Sequence, residues 1–166
     1  MAEALDQWSE FNVAMLGATA ALAGLLIVAM SVNIEAIMKS GTLPARAAAS
    51  IATLVLAIAT TALALAPGQP GWAFGLEVLA ASIVVVGFAI HAARTISQDE
   101  VHRGTARERF AKSAAALLAP FVYLAGGILL LAGATTAGLW LLAVGAIAAI
   151  ATSILLAWVV LIEVLR

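Results

Sequence analysis

Arg94-Thr95-Ile96-Ser97-Gln98-Asp99-Glu100-Val101-His102-Arg103-Gly104-Thr105-Ala106-Arg107-Glu108-Arg109-Phe110-Ala111-Lys112 is the one long polar interval in an otherwise apolar chain, and it holds five of the eight Lys and Arg. Loops rich in Lys and Arg stay in the cytoplasm, so this interval fixes the orientation of whatever precedes and follows it. On either side the sequence is Ala-, Leu-, Ile- and Val-rich. With 64% hydrophobic and 10% charged residues over 166 positions, and a mean hydropathy of +1.13, the chain is far more apolar than a globular domain, for which about half the residues are apolar and about a quarter charged. The composition predicts an integral membrane protein. A net charge of -1 gives no footprint for nucleic acid. The absence of Cys removes disulfides, thiolate-held iron–sulfur clusters and thiol nucleophiles.

Outward from that interval, the apolar runs divide at Gly and Pro. On its N-terminal side a span over about 72–93 follows the turn Pro67-Gly68-Gln69-Pro70-Gly71, which closes a span over about 45–66. Before that, Ser40-Gly41 supplies a helix stop, Thr42 a cap and Pro44 an early-turn residue. The first span covers about 12–34, in a helix capped by Ser9 and expected to run from about Glu10 through Asn33 into Met38. On the C-terminal side, Thr105 and Glu108 match a capping box, as do Ser97 and Glu100. The spans there run over about 113–132 and 139–164, joined by the small, polar turn Gly133 to Gly138.

Each run is long enough to cross a bilayer as a helix of roughly 20 residues. The expectation is an all-α membrane protein of five transmembrane helices in one bundle, a single domain over 1–166, with the loop 94–112 in the cytoplasm. Lys39, Arg46, Arg94, Arg103, Arg107, Arg109, Lys112 and Arg166 then all lie inside, which is all eight basic residues. The N-terminus is therefore expected outside and the C-terminus in the cytoplasm. The opening segment carries Glu3, Asp6 and Glu10 without a basic residue, the reverse of a secretory n-region. Trp8, Trp72 and Trp140 are placed at the outer interface and Trp158 toward the inner one.

Polar residues inside the spans are the candidate sites. Glu77 lies five residues into the third span, roughly 7 Å below the outer interface, where a carboxylate without a partner is costly. With no basic residue outside, its partner is a hydroxyl, an amide such as Asn12, water or another chain, unless it is protonated or snorkels to the surface. Tyr123 is a further intramembrane polar group. Pro120 with the pair Gly126-Gly127 reads as a helix break, since proline removes a backbone bond and glycine weakens the next turn; in transporters such breaks expose backbone to substrate. At the cytoplasmic end Asn33, Glu35, His91, Arg94 and Glu163 form an inner polar belt that ion pairing alone explains. Glu77 and His91, fourteen residues apart, share a face over about 21 Å, but Ala81, Val84 and Phe88 between them cannot relay protons, and Thr19, Thr53, Thr60, Tyr123 or Ser153 would have to.

The sequence holds no nucleotide-binding loop, zinc-binding His-Glu-x-x-His or Gly-x-Ser-x-Gly elbow, so no catalytic residue, metal ligand or cofactor is assigned. Small-residue spacings such as Gly17-x-x-x-Ala21, Ala20-x-x-x-Gly24 and Gly145-x-x-x-Ala149 let helices approach closely, within the bundle or between subunits. The expected role is that of a non-enzymatic accessory or scaffolding subunit, partnered by the lipid bilayer and by other membrane subunits or further copies of itself. The alternative is a small homo-oligomeric channel or transporter using Glu77 and the Pro120 to Gly127 break.

Trp8-Ser9-Glu10-Phe11, Gly17-Ala18-Thr19-Ala20-Ala21-Leu22-Ala23-Gly24, Ser31-Val32-Asn33-Ile34, Leu43-Pro44-Ala45-Arg46, Pro67-Gly68-Gln69 and the closing Glu163-Val164-Leu165-Arg166 resemble an uncharacterised family of short bacterial multi-span integral membrane proteins. The resemblance runs along the whole chain. It implies a bacterial plasma (inner) membrane setting and transfers no activity or site residue.

Overall fold

The computed structural model describes residues 2–98 and 106–164, with side-chain surroundings for 3–95, 114 and 116–158. It is all helical over the described residues. The elements are α1 (Ala2–Gln7), α2 (Ser9–Val32), α3 (Ile34–Lys39), α4 (Leu43–Ala64), α5 (Gly71–Gln98), α6 (Ala106–Leu131) and α7 (Thr135–Val164).

Among the described residues four helices are long and apolar enough to cross a membrane: Ser9–Val32, Leu43–Ala64, Gly71–Thr95 and Thr135–Trp158. A fifth apolar stretch, Ala116–Leu131, is shorter and belongs to α6, which packs extensively against α5 and α7. Helix α4 touches α2, α5 and α7 and forms the centre of the bundle. Half of its apolar window is buried, against 17% for α2.

The helix ends follow the Gly and Pro positions in part. Helix α4 starts at Leu43 with Pro44 in its first turn, where the missing N–H costs nothing. The Thr42 side chain makes no cap bond; instead Ser40 Oγ accepts from the Thr42 and Leu43 amides at 3.4 and 3.3 Å. Gly68 and Gly133 take positive φ of 72° and 82° in the turns after α4 and α6, a backbone conformation that side chains resist.

Three boundaries differ from expectation. The first helix does not continue to Met38, because Asn33 interrupts it at φ -109° and ψ 19°; its Nδ2 donates to the Ala29 carbonyl at 2.8 Å, the local competition with backbone that makes Asn a poor helix-interior residue. The N-terminal segment forms α1, and Leu5 and Trp8 pack it over Ala64, Phe74, Leu130 and Leu139. The turn after α6 ends by Ala134, so Gly138 lies inside α7. The Ser97–Glu100 and Thr105–Glu108 boxes rest on positions outside the described side chains.

Helix α6 corrects a further expectation. It runs unbroken from Ala106 to Leu131 through Pro120, Gly126 and Gly127. Pro120 removes the bond its nitrogen would give to the Ala116 carbonyl, yet the flanking turns hold. The glycines serve close approach. A Cβ on Gly127 would lie 3.1 Å from the Leu79 nitrogen and 3.2 Å from its Cα, and one on Gly126 would lie 3.3 Å from the Gly138 carbonyl oxygen. Where lipid is as apolar as the side chains, such contacts and not hydrophobic burial hold helices together.

Candidate functional site

The expected polar group Glu77, Asn12 and Tyr123 is not one cluster. Glu77 is exposed on α5, and its Oε2 accepts from Nε2 of Gln69 in the turn before that helix. Its neighbour is thus a local amide, and the carboxylate sits on the outside of the bundle. Gln69 Oε1 is buried without a hydrogen-bond partner among the described residues.

Asn12 faces inward. Only 8% of it is exposed, and it lines a cavity with Trp8, Phe11, Thr60, Thr61 and Phe74, closed on the α7 side by Leu139, Leu142 and Ala143. Helix α2 places Asn12 there because Asn12, Thr19, Ala23 and Leu26 are its buried residues, spaced so that they share one face at 3.6 residues per turn. Thr60 and Thr61 come from α4. Each hydroxyl donates to a carbonyl of its own helix, Thr60 to Leu56 at 2.8 Å and Thr61 to Ala57 at 2.7 Å. Their hydrogens are committed, and their remaining lone pairs accept.

Tyr123 lies deeper, with no exposed surface, among Leu56, Ala57, Val85, Ala119, Ala146 and Ala149. Its Oη is buried within reach of the Thr60 side chain, with no bond of good geometry among the described residues. Gly145 admits the ring, since a Cβ there would lie 3.0 Å from it. Thr60 therefore stands between Asn12 and Tyr123.

The chain matches no family model, no curated protein and no solved structure. The reading of the site therefore stands on its own geometry.

The other intramembrane hydroxyls behave like Thr60 and Thr61. Thr19, Thr53 and Ser82 donate to Met15, Ala49 and Val78 of their own helices at 2.7–2.8 Å. A hydroxyl whose single hydrogen is held by its own backbone is a poor relay station. Ser50 and Ser153 do bond between α4 and α7, at 3.0 Å.

The inner belt is dispersed over the described residues. Glu35, His91 and Arg94 are exposed, Asn33 bonds within its own helix, and the side chain of Glu163 lies outside the described residues. Helix α3 packs on α4 and α7, whereas α5 packs on α4 and α6. Among the described residues no group of three or more His, Asp or Glu is placed to hold a metal ion. Thr61 escaped the sequence reading. No local signal marks it, because a helix that is apolar all round carries no polar stripe to tell its buried face from its exposed one.

Proposed function

We propose that this chain is a non-enzymatic accessory or scaffolding subunit of a bacterial plasma-membrane complex, spanning the bilayer five times with the N-terminus outside. The count rests on adding α6 to the four long apolar helices, and the orientation on gathering all eight basic residues on one side. The bacterial setting rests on the resemblance of its helix ends and turns.

The observation that carries the role is the uncovered face of α2. Gly17 and Gly24 are two turns apart and open, with nothing within 4 Å of where a Cβ would stand. Val13, Ala20 and Ile27 continue that stripe and are exposed. Within α6 and α7, by contrast, Gly126, Gly127, Gly138 and Gly145 each admit a neighbouring element. A Gly and Ala stripe forms a shallow groove that lets a second helix come close. The channel reading is less supported, because Glu77 is engaged outside the bundle and α6 is unbroken.

Native mass spectrometry of the protein extracted gently from its own membrane at natural abundance tests this role. Unrelated subunits at fixed stoichiometry are expected. A homo-oligomer without other proteins would overturn the accessory reading and direct attention to flux.

A further inference from the structure

The cavity between α2 and α4 has a chemistry that neither packing nor the accessory role uses. It measures about 10 Å3, the space of a single water-sized group, and is partly open. Asn12 is more than nine-tenths buried in its wall and its amide makes no hydrogen bond with the described residues. An amide without a partner in the protein takes one from whatever occupies the cavity.

The two threonines offer acceptors, while Asn12 Nδ2 and the Trp8 indole N–H are the donors in the lining. Thr60 and Thr61 have given their hydrogens to backbone carbonyls, each within 3.1 Å of a second one as well. Asn12 adds one carbonyl oxygen. Three neutral oxygens from two helices therefore belong to the lining. Trp8, Phe11 and Phe74 complete the lining with aromatic side chains, a residue type that attracts cations. Trp8 meets Trp140 edge to face at 5.0 Å and Phe11 at 5.5 Å, which steadies that wall. Glu3, Asp6 and Glu10 are exposed on α1 and the first turn of α2, and no Lys or Arg precedes Lys39. The approach is negative.

We propose that this cavity binds a primary ammonium group, its three N–H donors directed at Thr60 Oγ1, Thr61 Oγ1 and Asn12 Oδ1. The match is one of number, size and sign. An –NH3+ head is about as large as the water the cavity would hold, whereas a trimethylammonium is larger and has no N–H to give. The carrier of that group is either an ethanolamine lipid headgroup, whose phosphate would stay in the interface, or a small free amine from outside.

The experiment uses the full chain in phosphatidylcholine nanodiscs, with Trp72 and Trp158 replaced by Phe so that Trp8 and Trp140 report. Ethanolamine hydrochloride is titrated against choline chloride at equal ionic strength. A saturable change in emission with ethanolamine and none with choline is expected. Thr61→Val should weaken it by about tenfold or more, the factor for losing one hydrogen bond to a charged group, while Thr61→Ser should restore it. Native mass spectrometry from mixed bilayers then separates the sources. Retention of phosphatidylethanolamine over phosphatidylcholine identifies the lipid, and an ethanolamine response without such retention identifies the free amine. Equal responses to ethanolamine and choline, no response to either, or no loss in Thr61→Val while thermal unfolding shows a folded protein, would mean that the cavity holds water only and would overturn the proposal.

Discussion

At the scale of single residues, the glycines of this chain divide into two kinds that the sequence alone does not distinguish. Gly127 faces the Leu79 backbone, with 3.1 Å between the nitrogen and a hypothetical Cβ. Backbone cannot rotate away, so Gly127→Ala is expected to push α5 from α6 and to cost about 1–3 kcal/mol, the usual penalty of overpacking. Thermal or denaturant unfolding in nanodiscs measures it. Gly24 has open space, and Gly24→Ala should leave the fold intact or strengthen α2 by up to about 1 kcal/mol through helix propensity. Tyr123 gives the opposite lesson to a usual buried tyrosine. Because its Oη makes no hydrogen bond of good geometry among the described residues, Tyr123→Phe should be neutral or stabilising by about 1 kcal/mol, the cost of an unsatisfied polar group being removed. A clear loss of stability in Tyr123→Phe would show that the hydroxyl is satisfied, with Thr60 as the acceptor at hand.

At the scale of elements, what could be read in advance followed backbone chemistry. Pro44, Gly68 and Gly133 mark the places where helices start or turn, since each restricts or frees the backbone whatever surrounds it. Asn33 was less legible. Its side chain can cap, break or merely decorate a helix, and the break appears only because Nδ2 reaches the Ala29 carbonyl. Asn33→Leu removes that competitor, and is expected to fuse α2 and α3 into one helix, with slower amide exchange from Ile34 to Lys39; unchanged exchange there would place the cause of the break elsewhere. Helix α1 was missed because its six residues are too few to show a periodicity, and only docking through Leu5 reveals it. Which faces meet was illegible for a general reason. Helices that are apolar all round carry no polar stripe to mark the outside, so Asn12 and Thr61 meet at a cavity while Glu77 turns outward, with nothing in the local pattern to separate them.

At the scale of the whole molecule, the bundle is unevenly closed: α4 is enclosed by its neighbours, while α2 is held by one face and leaves the opposite one bare. Lipid can cover that face, so bareness alone does not distinguish a lipid boundary from an interface. The side chains that compose it carry the distinction. A lipid boundary is served well by large, flexible side chains such as Leu25, Val28 and Val32, whereas Gly17, Ala20 and Gly24 offer little surface to an acyl chain and gain most when another helix enters the groove. Gly17→Leu and Gly24→Leu fill the groove from positions where a Cβ meets nothing within 4 Å. Both variants are therefore expected to fold and insert like the parent, with the same unfolding midpoint in isolation, and yet to lose co-purifying subunits in native mass spectrometry. Gly126→Leu is the matched contrast. A Cβ there already lies 2.7 Å from Leu142, so it should damage the fold itself and lose partners only as a consequence. If Gly17→Leu and Gly24→Leu keep every partner that the parent retains, the α2 face is lipid boundary and the contact between subunits lies on another helix.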